Sequence, residues 1–351
     1  MAYSSIVKPS VNFNTKLYTG NGSTQSVTGV GFQPDLTWIK SRVYSEDHQL
    51  TDVVRGVTKS LQSNLSATES TFTDGLTAFG TDGFTVGSKS DFNYNNDNLC
   101  SWNWKAGNSA GSSNSDGSVT STVSVNTAAG FSIYKYTGTG SALSVGHGLG
   151  AVPAFIIQKE YGNNSTTSQW QIYHQILGAG ERMTFERNAK STTSSIWGGS
   201  SPTNQIINIG TSGAVNENGA YYVGYAFSEL KGYSKFGSYL GNGTADMGSF
   251  IHTGFLPAFV LIKDTGNTST WHLADNKRTG YNPDNWRLQP NDSNAEYIGT
   301  EIDSNFLSNG FQLKNTDTDT NGDGRTYIYA AFAENPFVAN SGTNGVPTTA
   351  R

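Results

Sequence analysis

The sequence predicts an all-β protein made of three tandem β-sandwich modules of jelly-roll or lectin-like type. Three observations lead to this prediction: a threefold internal repeat, frequent Asn-Gly and Asp-Gly turn signals, and a composition poor in charge and in helix formers. Charged residues make up 14% of the 351 residues, and aromatic residues make up 12%. A chain with this aromatic content can build a core, so we do not expect disorder.

Each repeat begins with a short Gly-x-Gly segment. These segments carry no P-loop lysine and precede no expected helix, so we interpret them as turns and not as phosphate-binding loops. They are Gly20-Asn21-Gly22, Gly138-Thr139-Gly140 and Gly241-Asn242-Gly243.

The next element in each repeat is an apolar run that opens with proline and ends in lysine six residues later. Continuous apolar runs of this length predict strands buried on both faces. A shorter strand follows, and an aromatic strand closes each repeat. The apolar runs are 34–40, 153–159 and 257–263; the shorter strands are 83–86, 206–209 and 310–313; the closing strands are 99–104, 221–227 and 327–332.

These landmarks divide the chain into three modules with flanking segments. A stretch almost free of bulky residues separates the first two modules and predicts a Gly/Ser/Thr linker. The spacing of Val53, Val57 and Leu61 predicts one short helix within 52–61. The predicted division is an N-terminal anchor segment 1–15, module 1 at 16–105, the linker at 106–130, module 2 at 131–232, module 3 at 233–338, and a flexible tail at 339–351.

Charge and hydropathy exclude two classes of partner. A net charge of −5 and a pI near 5.5 provide no field that attracts phosphates, so we expect no nucleic-acid partner. No apolar stretch approaches the roughly 20 residues that cross a bilayer, so we expect no membrane partner. Cys100 is the only cysteine, and no secretory signal is recognisable.

One acidic segment resembles the first half of a calcium loop, with oxygen ligands at alternate positions. The twelfth position of such a loop is normally a bidentate glutamate, but here it is Ile328. Calcium is the one cofactor that the sequence suggests, and a plain acidic hairpin turn is the alternative. The candidate ligands are Asp317, Asp319, Asn321 and Asp323.

Five aromatic residues outside the predicted strands lie among Asn, Ser, Gly and Thr. Exposed aromatic rings can stack on sugars while amides and hydroxyls bind the sugar hydroxyls, so these residues are candidates for glycan binding. A protein partner would use the same residues. Core filling is the alternative, above all for the first and third of them, which follow the landmark lysines by 11 and 8 residues. The five are Trp170, Trp197, Trp271, Tyr281 and Trp286.

The sequence offers little for catalysis. Glu301-Ile302-Asp303 resembles the start of the E-x-D-x-x-E strand of one β-sandwich glycosidase family, but position 306 is Phe. Glycoside hydrolysis needs a pair of carboxyl groups, so we expect no enzyme. A polysaccharide depolymerase is a minor alternative.

The repeats, taken together, resemble a family of marine bacteriophage virion proteins. The segments that carry the resemblance are 14–22, 31–40, 54–59, 232–239 and 330–337. The resemblance implies repeated unknown-function or concanavalin-like modules in tail fibres or other structural proteins, and it brings no catalytic residues.

We therefore expect a non-enzymatic virion structural protein, most simply a tail-fibre-type protein that binds a host cell-surface glycan. It would be made in the host cytoplasm and released by lysis. Its other partners would be a tail adaptor or the capsid, and it would form a homo-oligomer, such as a trimer. The alternative is a capsid decoration or head-fibre protein anchored by the first 15 or so residues.

Overall fold

The computed structural model describes residues 4–162, 168–186, 188–341 and 344–347, and it is all-β, as predicted. We group the strands into three units that follow the sequence repeats. Unit 1 contains β1 Phe13–Thr19, β2 Gln25–Thr28, β3 Leu36–Ser41, β4 Gln49–Asp52, β5 Lys59–Ser60, β6 Ser70–Thr71, β7 Leu76–Gly80, β8 Gly83–Val86 and β9 Asn98–Trp104. Unit 2 contains β10 Ser112–Asn114, β11 Ser121–Asn126, β12 Phe131–Thr137, β13 Leu143–Gly146, β14 Pro153–Gly162, β15 Gln171–His174, β16 Glu181–Arg182, β17 Ser191–Thr192, β18 Ile206–Ile209 and β19 Tyr221–Ser228.

Unit 3 and the C-terminal hairpin complete the set of strands. Unit 3 contains β20 Ser234–Leu240, β21 Phe250–His252, β22 Phe255–Asp264, β23 His272–Asp275, β24 Trp286–Arg287, β25 Tyr297–Ile298, β26 Ser304–Leu307, β27 Gly310–Leu313 and β28 Thr326–Pro336, and the hairpin contains β29 Val338–Ser341 and β30 Asn344–Pro347. Among the described residues, the helices are two short α-helices, α1 Ser90–Asn93 and α2 Gly213–Asn216, and two 3-10 turns, Pro9–Val11 and Thr300–Ile302.

The large antiparallel sheets of the three units have the same strand order. It is β1-β9-β3-β4 in unit 1 and β20-β28-β22-β23 in unit 3, and the same four-strand order, β12-β19-β14-β15, lies within the six-stranded sheet β10-β11-β12-β19-β14-β15 of unit 2. A smaller sheet accompanies each large one: β2-β8-β7, β13-β18 and β21-β27-β26. The sequence landmarks therefore occupy equivalent places, because the proline-to-lysine run and the closing strand are the two middle strands of the shared four-strand order in each unit.

One face of every large sheet contributes to a single core that the three units share. Near its centre, Phe13, Phe227 and Phe332 bring together one ring from each unit, with the Phe332 centroid 5.3 Å from that of Phe13 and 5.4 Å from that of Phe227. Such distances are typical of favourable aromatic pairs. The opposite face of each large sheet packs against its own small sheet, in three separate clusters. The arrangement is sandwich-like, and each unit has a small cluster of its own in addition to the core that all three share.

A hairpin from each unit lies over the next unit and closes the units into a ring. We call these hairpins arms: arm 1 is 59–71, arm 2 is 181–192 and arm 3 is 286–298. One backbone hydrogen bond recurs at each junction, from unit 1 to 2, from 2 to 3 and from 3 back to 1. The bonds run from Glu69 N to Tyr161 O (3.2 Å), from Lys190 N to Thr265 O (2.9 Å) and from Glu296 N to Arg42 O (2.8 Å).

A second contact recurs with the same sense around the ring. The residue before the fourth strand of each large sheet contacts a carbonyl on the arm of the preceding unit. Trp170 Nε1 donates to Gln62 O (2.8 Å), Trp271 Nε1 donates to Thr184 O (2.9 Å), and His48 Nε2 lies 3.0 Å from Gln289 O. The chain therefore has an internal pseudo-threefold arrangement.

The segments predicted to flank the modules belong to the folded body. The predicted linker contains β10 and β11, and β11 pairs with the edge of β12. In the predicted anchor segment, Ile6 and Phe13 lie in the shared core. Residues 52–61 form turns and β5 instead of the predicted helix, because Asp52 accepts the backbone N–H groups of Val54 and Arg55.

The predicted flexible tail contributes all but the first residue of the hairpin of β29 and β30, while residues 342, 343 and 348–351 lie outside the described residues. Within the described part of the chain, no helix is long and apolar enough to span a bilayer.

Candidate functional site

The predicted calcium loop has a different role in the structure. Asn321 is fully buried, and its amide nitrogen donates to three acceptors, Asn242 Oδ1, Thr244 O and Asn315 O. Asp317 Oδ2 accepts from Arg287 Nη1 at 2.8 Å, and its Oδ1 accepts from Asp319 N. Asn321 and Asp317 are thus engaged in hydrogen bonds within the protein, and the calcium site stays a prediction. Among the described residues, no cluster of three or more His, Cys, Asp or Glu side chains could hold a metal.

Asn321 belongs to a set of three equivalent asparagines that the sequence did not reveal. Asn93 ends α1 and Asn216 ends α2, and both are fully buried. Each of the three accepts a hydrogen bond from the middle residue of its Gly-x-Gly turn: from Asn21 N (2.9 Å), Thr139 N (2.7 Å) and Asn242 N (3.1 Å). We call this contact the asparagine clamp.

The clamp explains the glycines of the repeat signature. A Cβ on Gly20, Gly138 or Gly241 would lie 2.1–2.4 Å from a backbone oxygen of the segment that carries the asparagine or directly follows it. The second glycine of each turn has a φ between +63° and +75°, which favours glycine. The clamp and its turn are thus framework and not a ligand site.

Three of the five candidate aromatic residues are buried. Trp170, Trp197 and Trp271 are each at most 1% exposed, and two of them make the junction contacts described above. They are core residues, the alternative that the repeat spacing had favoured for Trp170 and Trp271. No sugar can stack on them in this fold.

The other two candidates lie on or beside arm 3. Tyr281 is 73% exposed. Trp286 is partly buried, and the guanidinium of Arg42 lies 4.7 Å from its ring centroid. Arm 3 is therefore the place where the predicted aromatic residues and the surface coincide.

A groove of about 220 Å³ runs along arm 3. One residue each of β24 and β25 lines it, Arg287 and Tyr297, which pair with each other across the hairpin. Tyr297 is 44% exposed, and the Arg287 guanidinium lies 5.4 Å from its ring centroid. We call this cavity the arm-3 groove, and its lining residues are Arg287, Gln289, Asn294, Ala295, Glu296 and Tyr297.

The one acid in this lining is held by two arginines. Glu296 Oε1 accepts from Arg278 Nη1 at 2.7 Å, and Oε2 accepts from Arg42 Nη2 at 2.9 Å and Nε at 3.1 Å. The Glu296 side chain is only 5% exposed. Its contacts fasten arm 3 to unit 1 and leave neither carboxylate oxygen without a partner.

Two other surface cavities are larger but lack an exposed aromatic wall. One, of about 310 Å³, lies between units 1 and 3, and its only aromatic residue, Phe13, is 1% exposed. The other, of about 290 Å³, lies on the small sheet of unit 2 and has no aromatic lining residue. Of these three surface cavities, the arm-3 groove has the side chains that suit an organic ligand with polar and apolar faces.

Comparison with protein families gives one match that spans the ring. A family model described as a domain of unknown function, DUF7483, matches residues 8–336. The chain belongs to the DUF7483 family. Comparison with curated proteins and with solved structures gave no match.

The extent of the DUF7483 match agrees with the fold. The matched residues run from the 3-10 turn before β1 to the end of β28, so one family model covers all three units and their closing contacts. A DUF7483 domain is thus the whole ring with its shared core, and not a single repeat of about 100 residues.

Proposed function

We propose that this DUF7483 protein is a non-enzymatic structural component of a virion, of tail-fibre type, and that it binds a host cell-surface glycan through the arm-3 groove. Under this proposal it is made in the host cytoplasm and released by lysis. Each unit would be a lectin-like sandwich module that has fused with its neighbours into one ring. The similar strand order of the three large sheets supports that view.

The observation that carries the glycan proposal is the composition of the groove. Tyr297 presents an exposed ring, and the side-chain amides of Gln289 and Asn294 lie in the same lining. Aromatic rings stack on the apolar faces of sugars, while amides donate to and accept from vicinal hydroxyls. The hairpin that carries these groups is fastened to unit 1 through Glu296, so the groove is held in shape before a ligand binds.

The test is a binding screen of the full chain against host polysaccharides, followed by two tyrosine substitutions. Tyr297→Ala removes the groove wall, and Tyr281→Ala removes an exposed aromatic residue that is not part of the lining. We expect about a tenfold loss of affinity for Tyr297→Ala and less than about a twofold loss for Tyr281→Ala. Equal affinities of the two variants and the unaltered chain would refute the groove as the binding site.

Cryo-electron microscopy of virus particles tests the virion assignment separately. Density for the ring at the tail would support host attachment. Density on the capsid would instead favour the decoration alternative, and absence from the particle would refute a virion role.

A further inference from the structure

We propose that the arm-3 groove binds an anionic sugar, that is, a glycan residue bearing a carboxylate or a sulfate, and that Arg287 recognises the anion. This inference rests on the proposed glycan-binding function. The argument compares arm 3 with arm 2, which has an arginine at the same position.

In arm 2 the arginine is satisfied by the protein. Arg182 lies on β16 opposite Ser191 of β17. Its Nε donates to Ser191 Oγ at 3.2 Å, and its Nη1 donates to Gln171 Oε1 at 3.1 Å. Gln171 is the first residue of β15.

In arm 3 both of these acceptors have been replaced. Tyr297 stands in the place of Ser191 and offers the arginine a ring instead of a hydroxyl. His272, the first residue of β23, stands in the place of Gln171. Arg287 Nη1 turns to Asp317, and Arg287 Nε is buried without a hydrogen-bond partner among the described residues.

A second side chain on arm 3, Asn291, also has a donor atom without an acceptor among the described residues. Asn291 Oδ1 accepts from Thr270 Oγ1 at 2.9 Å and from Trp271 N at 2.8 Å, which fixes the orientation of the amide. Its Nδ2 is buried and has no partner within the described part of the chain. A buried donor without an acceptor is costly, so arm 3 favours a ligand that brings acceptors.

The acids around the groove do not supply an acceptor to Arg287 Nε or to Asn291 Nδ2. Glu296 is held by Arg42 and Arg278, and both oxygens of Asp317 are already bonded. Asp275 is paired with Arg278 at 2.6 Å. Asp319 Oδ2 lies 3.9 Å from Arg287 Nη1, and burial raises the pKa of this carboxyl. Burial also raises the pKa of Asp284 to about 8, so that this acid is mostly neutral at pH 7.

The unpaired donors and the occupied carboxylates therefore indicate which kind of ligand the groove would bind. The groove lining offers one unpaired donor, Arg287 Nε, beside the Tyr297 ring, and Asn291 Nδ2 is a second unpaired donor on the same arm outside the lining; the one carboxylate of the lining is occupied. A carboxylate or sulfate accepts charge-assisted hydrogen bonds from a guanidinium, and the sugar ring that carries it can stack on Tyr297. A neutral sugar offers only uncharged oxygens, so its hydrogen bonds with the guanidinium of Arg287 would be weaker.

The experiment compares polygalacturonate with its methyl ester, which has the same backbone without the charge. Binding of the full chain is measured by calorimetry at about 0.15 M salt, where weak surface electrostatics are screened. We expect polygalacturonate, or a sulfated dextran compared with plain dextran, to bind about tenfold tighter than its neutral counterpart. A preference for only one of the two anions would identify which group the groove accepts.

Arg287→Gln tests the assigned residue, and Arg182→Gln is the matched control from arm 2. We expect Arg287→Gln to abolish the preference for the charged polymer and Arg182→Gln to retain it. Thermal melting of both variants verifies that they fold. If Arg287→Gln does not fold, Arg287→Lys replaces it in the test, because lysine keeps the charge but lacks the planar guanidinium. We expect Arg287→Lys to lower the preference as well, and a preference unchanged in the folded arginine variants would overturn the inference.

The outcomes separate this inference from the function on which it rests. Equal binding of charged and neutral polymers, lost in Tyr297→Ala, would overturn the anionic preference and leave glycan binding in place. Absence of binding to every charged and neutral glycan would overturn both.

Discussion

The asparagine clamp leads to a quantitative prediction about stability. In unit 2, Asn216 accepts from Thr139 N at 2.7 Å and donates to Ser141 O at 2.6 Å and to Gly210 O at 2.8 Å. The Asn216→Ala substitution removes all three bonds at a fully buried site. With a net contribution of about 1 kcal/mol for each bond, we expect a loss of about 3 kcal/mol.

A loss of this size is easily measured, because folded proteins are stable by only about 5–15 kcal/mol. Urea unfolding followed by tryptophan fluorescence gives the change in unfolding free energy. Asn93→Ala and Asn321→Ala should cost at least as much, since their side chains make the equivalent bonds and each also donates to the side chain of Asn21 or Asn242. The control is Asn208→Ala, whose bonds are 3.3–3.4 Å long and lie at the surface, and for which we expect less than about 0.5 kcal/mol.

Two results would refute the reasoning. A cost below about 1 kcal/mol for Asn216→Ala would mean that the clamp does not hold its turn. A large cost at one asparagine and none at the other two would mean that the three sites are equivalent in geometry only.

Three further predictions concern the buried acid, the ring and the junctions. Burial raises the pKa of Asp284 from 3.8 to about 8, so ionisation of this carboxyl opposes folding. We therefore expect the unfolding free energy to fall as the pH rises from about 4 to about 8, and we expect Asp284→Asn to flatten that profile. We expect light scattering to give a single chain of 37.6 kDa, because the ring buries its own inner faces, and three times that mass would contradict this. Trp271→Phe removes the donor to Thr184 O, and we expect thermal melting to show that the unfolding free energy falls by about 1–2 kcal/mol. An unchanged unfolding free energy would mean that the junction bond is dispensable.

The light-scattering prediction differs from the homo-oligomer that the sequence suggested. A trimer of single-module chains would bury one apolar sheet face from each chain at its axis. Here the faces that contain Phe13, Phe227 and Phe332 meet within one chain. Repetition in the sequence therefore supplies inside one molecule the symmetry that a homotrimer obtains by association.

The framework could be predicted from the sequence because local pattern determines it. Buried central strands require continuous apolar runs, and β3 and β22 are indeed buried along their whole length. The Gly-x-Gly turns require glycine for steric reasons that are independent of the rest of the fold. These features recur with fixed spacing, which made the repeats visible.

The contacts between units could not be predicted in the same way. Arg42 and Glu296 are 254 positions apart in the chain, and no local pattern links them. The 106–130 segment resembled a linker because β11 is held by backbone pairing with β12 and not by a large apolar face. Composition indicates apolar burial, so it does not reveal strands such as β10 and β11, which extend the sheet beyond β12 mainly through backbone pairing.

The candidate site lies where the repeats differ from each other. The clamp asparagines, the buried lysines Lys40, Lys159 and Lys263, and the turn glycines are common to the three units and support the ring. Tyr297 in place of Ser191 and His272 in place of Gln171 break that pattern on one arm only, and the same two changes create the exposed ring and remove the acceptors of the neighbouring arginine. A framework repeated three times can tolerate such a local departure, because the shared core and the other two arms still hold the ring. Function in this fold is therefore best sought at positions where one unit departs from the other two.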